Sequence, residues 1–130
     1  MEQSRARLAA QSRDSHLALR RVERQQALIE RLYTARGTRL QLGTLAHDLR
    51  VSPRTLARDV DRLRSSGVPI TTHRGRGGGV SFRSRGHLPP IAFDAREAAA
   101  LMASLAALGP SVSQSATSAM HKLAEALQSR

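Results

Sequence analysis

Three arginines spaced four residues apart, Arg54, Arg58 and Arg62, are the side chains of this sequence best suited to bind a polyanion. A helix turns by about 100° per residue, so this spacing places them along one side, roughly opposite the apolar residues Leu56 and Val60. A guanidinium group donates paired hydrogen bonds to a phosphate or to the acceptor edge of guanine. The segment therefore predicts a helix with one buried face and one face suited to nucleic acid, although many surface helices share this pattern.

The start of this helix is predicted by its capping residues. Ser52 is a good N-cap, because its hydroxyl accepts a backbone N–H of the first turn, and Pro53 suits the first helical position. Residues 42–49 predict a shorter helix before it, with Arg50 in a turn that often requires positive φ. A short helix, a tight turn and a second helix over residues 53–65 form a helix-turn-helix, whose second helix enters the major groove of DNA.

Two short strands around a glycine-rich tip are predicted after this helix. Gly67 ends the helix, residues 68–73 and 80–82 have strand character, and the intervening glycines favour a turn. Arg74 and Arg76 lie at the tip, where they would grip phosphates or enter a minor groove. The hairpin is interpreted as the wing of a winged helix-turn-helix.

The net charge of +11 over 130 residues is confined to the first two-thirds of the chain. Residues 1–87 contain 18 basic and 7 acidic residues, whereas residues 88–130 contain three of each. Such a field attracts a polyanion, and nucleic acid is the leading candidate. The 20 arginines against one lysine suit phosphate and guanine, although a codon bias explains the ratio equally well.

The remaining polar residues form no pattern of a catalytic or metal site. The lack of cysteine excludes disulfides and thiolate chemistry, and none of the five histidines has a second one at metal-ligand spacing. Asp59 and Asp61 do not face each other on a helix, so Asp59 is expected to pair with Arg62 or to orient Arg58. The glycine run lacks the lysine and the following helix of a P-loop. We expect no enzyme, cofactor, metal or small-molecule ligand.

Residues 1–13 are predicted as a flexible basic arm or a frayed helix, followed by a helix from residue 14 or 15 to residue 36. The candidate core positions of that helix are Leu17, Val22, Leu28, Ile29 and Leu32. No signal peptide is visible, and the longest apolar run, residues 98–108, is shorter than the roughly 20 residues that span a bilayer. We expect a soluble, cytoplasmic protein without membrane contact.

Residues 88–130 are predicted as a linker and a helical hairpin. Asp94 and Glu97 form a capping box for a helix that runs to residue 108, and a polar loop at 111–115 precedes the last helix. The apolar stripes of these helices exceed what two short helices cover alone. This favours a homodimer over a hairpin folded back onto Leu28 and Leu32.

Three stretches together resemble the DeoR-like winged helix of WYL-domain transcription regulators. They are Leu45 to Arg64, including Val51-Ser52-Pro53-Arg54-Thr55, then Gly67-Val68-Pro69-Ile70, then Arg74-Gly75-Arg76-Gly77-Gly78-Gly79. The resemblance spans residues 22–128 and includes the linker at 88–91 and the capped helix at 94–108. The chain differs from the family at Val80, where an aromatic residue often stands. It also ends where the WYL sensor domain would begin, so no effector sensing is assigned.

The resemblance implies sequence-specific DNA binding and transcriptional control. It places Ser52, Arg54, Thr55 and Arg58 toward the major groove and makes Arg74 and Arg76 the wing contacts. The predicted DNA-binding residues are Ser52, Arg54, Thr55, Arg58, Arg62, Arg74 and Arg76.

The predicted fold is mainly α with a small β-hairpin, a winged helix-turn-helix followed by a C-terminal helical hairpin. Its divisions are an arm at 1–13, the DNA-binding domain at 14–87, and a linker and hairpin at 88–130 that joins two protomers. The predicted function is a transcription regulator that acts by promoter occupancy on double-stranded DNA. The alternatives are a winged-helix protein-interaction module and a non-specific nucleic-acid binder.

Overall fold

The computed structural model describes residues 1–83, 86–109 and 112–129. Within these ranges the chain forms five helices and one two-stranded antiparallel sheet. The elements are α1 (Glu2–Thr34), α2 (Leu42–Asp48), α3 (Pro53–Ser65), β1 (Ile70–His73), β2 (Gly79–Phe82), α4 (Ala95–Leu108) and α5 (Gln114–Gln128). The predicted class, a winged helix-turn-helix followed by a helical hairpin, is confirmed.

Helix α1 begins at Glu2, so the predicted start at residue 14 or 15 is wrong. Residues 2–13 form its first turns, which agrees with the helical alternative for this segment. The cause is composition, because no glycine or proline interrupts residues 2–36 and the segment is rich in alanine, arginine, glutamine and leucine. Most side chains of the first half are exposed, including that of Leu17, so its prediction as a core position is wrong.

The helix-turn-helix forms as its capping residues predict. The Ser52 hydroxyl accepts a hydrogen bond from the Thr55 backbone N–H at 3.1 Å, and Pro53 occupies the first turn of α3. Arg50, in the turn, has a φ of +59°, as the tight connection requires. The Val51 backbone N–H then donates to the Ala46 carbonyl at 3.0 Å, which closes the end of α2.

One apolar core joins α1, the helix-turn-helix and the hairpin. Its buried members are Leu28, Leu32, Leu45, Ala46, Leu56, Val60, Ile70 and Val80. Leu28 and Leu32 are fully buried by these neighbours. The buried cluster around Leu28 and Leu32 includes no residue of the C-terminal hairpin, although the hairpin contacts α1 through polar side chains.

The wing is a short ladder with a third extended segment beside it. Ile70 pairs with Phe82 and His73 with Gly79, so the first strand is shorter than the predicted 68–73 and the second begins one residue before the predicted 80–82. Val68 instead closes the end of α3, because its backbone N–H donates to the Leu63 carbonyl at 3.0 Å. On the other edge, Leu40 and Val80 exchange backbone hydrogen bonds of 2.8 and 2.9 Å.

Replacing Gly79 with alanine is expected to lower the free energy of unfolding by roughly 2–3 kcal/mol. The φ of Gly79 is +129°, and a Cβ there would lie 2.5 Å from the Leu40 carbonyl oxygen, which the ladder holds in place. Gly43→Ala is the control, since a Cβ at Gly43 meets nothing within 4 Å. Gly43 lies in α2, where alanine should raise the free energy of unfolding by up to about 1 kcal/mol. Urea denaturation measures both, and equal stability of the Gly79 variant would contradict the close approach.

The C-terminal hairpin packs α4 against α5, with Ala98 and Ala116 buried. The predicted capping box is present, because Asp94 accepts from the Glu97 N–H at 2.8 Å and Glu97 accepts from the Asp94 N–H at 3.0 Å. Ser111, in the predicted loop between these helices, lies outside the described residues. The hairpin contacts α1 where the Ser113 hydroxyl donates to the Gln26 side chain at 2.8 Å.

Across the described ranges, no helix has both the length and the apolar character needed to cross a bilayer.

Candidate nucleic-acid interface

The outward face of α3 carries Arg54 and Arg58, which are both exposed. They lie opposite Leu56 and Val60, which are buried in the core. Arg54 and Arg58 form no ion pair or hydrogen bond with any other described side chain. Two guanidinium groups, each with a full set of donors, therefore stand on a rigid helix and face solvent.

Ser52 and Thr55 lie at the start of the same helix but are engaged with each other. Ser52 Oγ accepts from the Thr55 backbone N–H and also donates to Thr55 Oγ1 at 3.0 Å. Ser52 is exposed, while Thr55 is half-buried. Both hydroxyls thus hold the first turn of α3 in shape, and Thr55 Oγ1 keeps its own hydrogen to donate.

Arg62 differs from the other two arginines of α3. Its side chain is 52% exposed, and its Nη1 lies 3.8 Å from Oδ1 of Asp59. It therefore lies at the edge of the exposed face, on the side that packs against α1. Arg54 and Arg58 are thus without an acidic partner among the described residues, whereas Arg62 has one.

Arg74 and Arg76 are exposed at the tip of the wing, as the sequence predicts. The tip turns through Gly75 and Gly77, whose φ angles are +83° and +73°. The Gly78 backbone N–H closes the turn on the Gly75 carbonyl at 2.9 Å. Like the outward arginines of α3, the two tip arginines make no ion pair with the described residues.

The wing tip is also tied to the segment before α2, which the sequence analysis did not foresee. Gln41 Nε2 donates to the Gly78 carbonyl at 2.8 Å, and Arg39 Nη1 approaches the Gly77 carbonyl at 3.4 Å. Gln41 is the N-cap residue directly before α2. The wing and the helix-turn-helix are therefore held in one arrangement by polar contacts as well as by the core.

The predicted pairing of Asp59 with Arg62 is present at 3.8 Å, but the sequence does not predict the burial or the main partner of Asp59. Asp59 is fully buried, and Arg24 of α1 makes its closest contacts. The periodicity contained a signal, since Asp59 stands three residues after Leu56 and four before Leu63, on the buried side of the helix. Arg24 likewise stands four residues before Leu28, so the two buried faces bring this pair together.

The described residues include no group of three or more His, Cys, Asp or Glu side chains that could hold a metal ion. His73 lies in the wing, where its Nε2 is 2.9 Å from the Ser81 hydroxyl oxygen. The site is thus defined by hydrogen-bond donors and positive charge.

These elements define a winged helix-turn-helix, with α2 and α3 as the helix pair and β1 and β2 as the wing. Residues 24–80 match the family model of an HTH domain. The matched segment runs from the second half of α1 to β2 and leaves α4 and α5 outside it. No solved structure matches the chain.

A helix-turn-helix domain of this kind is found in DeoR- and WYL-type regulators, and such domains are typically non-enzymatic. It indicates a DNA-binding regulator.

Proposed function

We propose that the chain is a sequence-specific transcription regulator that acts by occupying a promoter site. The observation that carries the proposal is the outward face of α3, where Arg54 and Arg58 are exposed and unpaired. Because their helix is fixed by a buried core, they can meet base edges in a major groove without a large loss of backbone entropy. We call α3 the recognition helix from here on.

Each part of the interface has its own role in this proposal. Arg54 and Arg58 read guanine O6 and N7, and Thr55 donates its hydroxyl hydrogen to a base or phosphate. Ser52 holds the first turn. Arg74 and Arg76 of the wing contact the backbone or the minor groove, where they add affinity more than sequence information.

The resemblance to the DeoR-like winged helix of WYL-domain regulators supports this arrangement, as does the charge. Residues 1–87 hold the entire excess of 11 positive charges. We further propose that residues 14–87 act as the DNA-binding domain, working inside the cell in the cytoplasm.

Selection of duplexes from a random DNA pool at physiological salt tests the proposal. A single enriched motif is the expected result. Retention of duplexes without any motif would instead support a non-specific nucleic-acid binder. If no duplex is retained, the winged helix is a protein-interaction module.

Replacing Arg58 with alanine is expected to weaken binding to the enriched duplex by about 1–3 kcal/mol, the value of a bidentate contact to guanine. Stability should change little, since the side chain is exposed and unpaired. Arg96→Ala, which removes the same charge from α4, is the control. Fluorescence anisotropy with the enriched and a scrambled duplex measures the effect. Equal weakening on both duplexes would reassign Arg58 to a phosphate.

We also propose that the C-terminal segment joins two protomers. Ile91, Phe93, Leu101 and Leu127 are 61%, 48%, 42% and 38% exposed, respectively. Three of them, Ile91, Phe93 and Leu127, line a groove of about 600 Å³ between the linker and the hairpin. Exposed apolar side chains that line a common groove are typical of an interface, and helix-turn-helix proteins commonly bind two half-sites as dimers.

Sedimentation of the full chain at micromolar concentration is expected to show two protomers. The double variant Ile91→Glu with Leu127→Glu should sediment as one protomer, because it places two charges in the groove. Leu17→Glu, an equally exposed apolar site on α1, should leave the dimer intact. A wild-type chain that sediments as one protomer would end the dimer proposal.

A further inference from the structure

We propose that Asp59 is a positioning residue for DNA reading, which sets the orientation of the recognition helix on α1 and holds the guanidinium of Arg62 at the edge of the DNA-facing side. This inference rests on the proposed function of α3. It assigns a role in recognition to a carboxylate that is buried and touches no DNA itself.

The first support is the way that Asp59 is bound. Arg24 Nε donates to Oδ2 and Arg24 Nη2 donates to Oδ1 at 3.1 Å, which makes the pair bidentate. Gln25 Nε2 adds a third hydrogen bond to Oδ1 at 3.3 Å. Both donors belong to α1, so the carboxylate of α3 is fixed by two neighbouring residues of one helix. A planar bidentate pair resists rotation of the helix more than an apolar contact does.

The second support is that the same oxygen faces Arg62. Nη1 of Arg62 lies 3.8 Å from Oδ1, while about half of the Arg62 side chain is open to solvent. The Asp59 carboxylate therefore contacts both the Arg24 and Gln25 side chains of α1 and an arginine at the edge of the exposed face. If α3 turned about its axis, Arg62 would lose this partner and Arg58 would change direction with it.

The third support is that a buried carboxylate such as that of Asp59 contributes little to the stability of a folded core. A buried charge is a weak source of stability compared with apolar residues of similar volume, and its best-attested use is to fix one arrangement among several. The other long-range ion pair among the described residues, Arg31 with Asp48, is exposed on both sides and has no such neighbour. Asp59 thus has the burial and the partners of a residue that selects one orientation.

The decisive variant replaces the Arg24–Asp59 ion pair with apolar side chains, Arg24→Met together with Asp59→Leu. It is measured on two probes, a duplex enriched by the wild-type chain and its scrambled version. We expect cooperative thermal unfolding close to that of the wild type, while the ratio of the two affinities falls by about tenfold, within the range for a lost base contact. Arg62→Ala should cost about fivefold on the enriched duplex in the wild-type chain. In the apolar background it should cost less than about twofold, because the arginine is no longer held.

An affinity ratio that stays within about twofold of the wild type in the folded apolar variant would overturn the proposal and leave Asp59 a purely structural role. Asp48→Asn is the control and should leave the ratio unchanged. If the apolar variant does not unfold cooperatively, Asp59→Asn replaces it, since asparagine keeps the size and an acceptor for Arg24. Failure of both to fold would show that Asp59 serves the fold alone, which also overturns the inference. Failure of the proposed function is seen separately, as the absence of any enriched duplex for the wild-type chain.

Discussion

Replacing Arg24 with methionine is expected to lower the free energy of unfolding by about 3 kcal/mol, because it leaves a buried carboxylate without its main charged partner. Asp59 is 0% exposed, and Arg24 supplies two of its hydrogen bonds. Gln25 remains as a neutral donor, and Arg62, which is 3.8 Å away and half-exposed, offsets the charge only in part. The Arg24 side chain is itself 18% exposed, so water reaches one side of the pair, and we place the effect at the lower end of the range for buried ion pairs.

Chemical denaturation measures this effect, and two further variants make it specific. Arg31→Met breaks the exposed pair with Asp48 and should cost at most about 1 kcal/mol, as surface pairs do. Adding Asp59→Leu to Arg24→Met should recover most of the loss, because no unpaired charge then remains in the core. A loss below about 1 kcal/mol in Arg24→Met alone would mean that water solvates the Asp59 carboxylate in the folded chain.

The elements that the sequence predicted correctly are those whose boundaries depend on local chemistry. Ser52 and Pro53 mark the start of α3, and Asp94 with Glu97 marks the start of α4. In each case the capping partner lies three residues away along the chain. Such contacts can be identified without knowledge of the fold, because the residues that make them are already neighbours.

The features that the sequence missed are those fixed by distant partners. Asp59 and Arg24 are separated by 35 positions, and Gln41 lies 37 positions from Gly78. Periodicity placed Asp59 on the buried side of its helix, yet a carboxylate is normally assigned to solvent unless a partner is known. Only the packing of α1 across α3 supplies that partner.

The extent of α1 was missed for a different reason. Its first half contacts little of the remaining chain, so its sequence has no apolar stripe that would indicate a helix. Helix propensity alone decides its conformation.

For the candidate site, the exposure of Arg54, Arg58, Arg74 and Arg76 followed from the pattern of apolar residues. The pairing of Arg62 with Asp59 followed from their spacing of three residues, whereas the burial of Asp59 against Arg24 did not, because that contact joins residues 35 positions apart.

DNA affinity is expected to fall about 500-fold when monovalent salt is raised from about 50 to 200 mM, if each protomer neutralises about five phosphates. That number of contacts gives a slope of about −4.5 for log K against log salt. Arg74 and Arg76 of the wing tip are expected to supply part of these contacts, since they have no acidic partner among the described residues to offset their charge. Anisotropy titrations of the enriched duplex at four or more salt concentrations measure the slope.

The double variant Arg74→Ala with Arg76→Ala assigns part of that slope to the wing. Each lost phosphate contact makes the slope shallower by about one unit, so the same rise in salt should then weaken binding only about 30-fold. Arg96→Ala with Lys122→Ala is the matched control, because it removes two exposed positive charges from α4 and α5 and leaves the wing intact. Its slope should equal that of the wild type. If the wing variant and this control give the same slope, the wing tip lies away from the DNA and the phosphates are held by the recognition helix and α1.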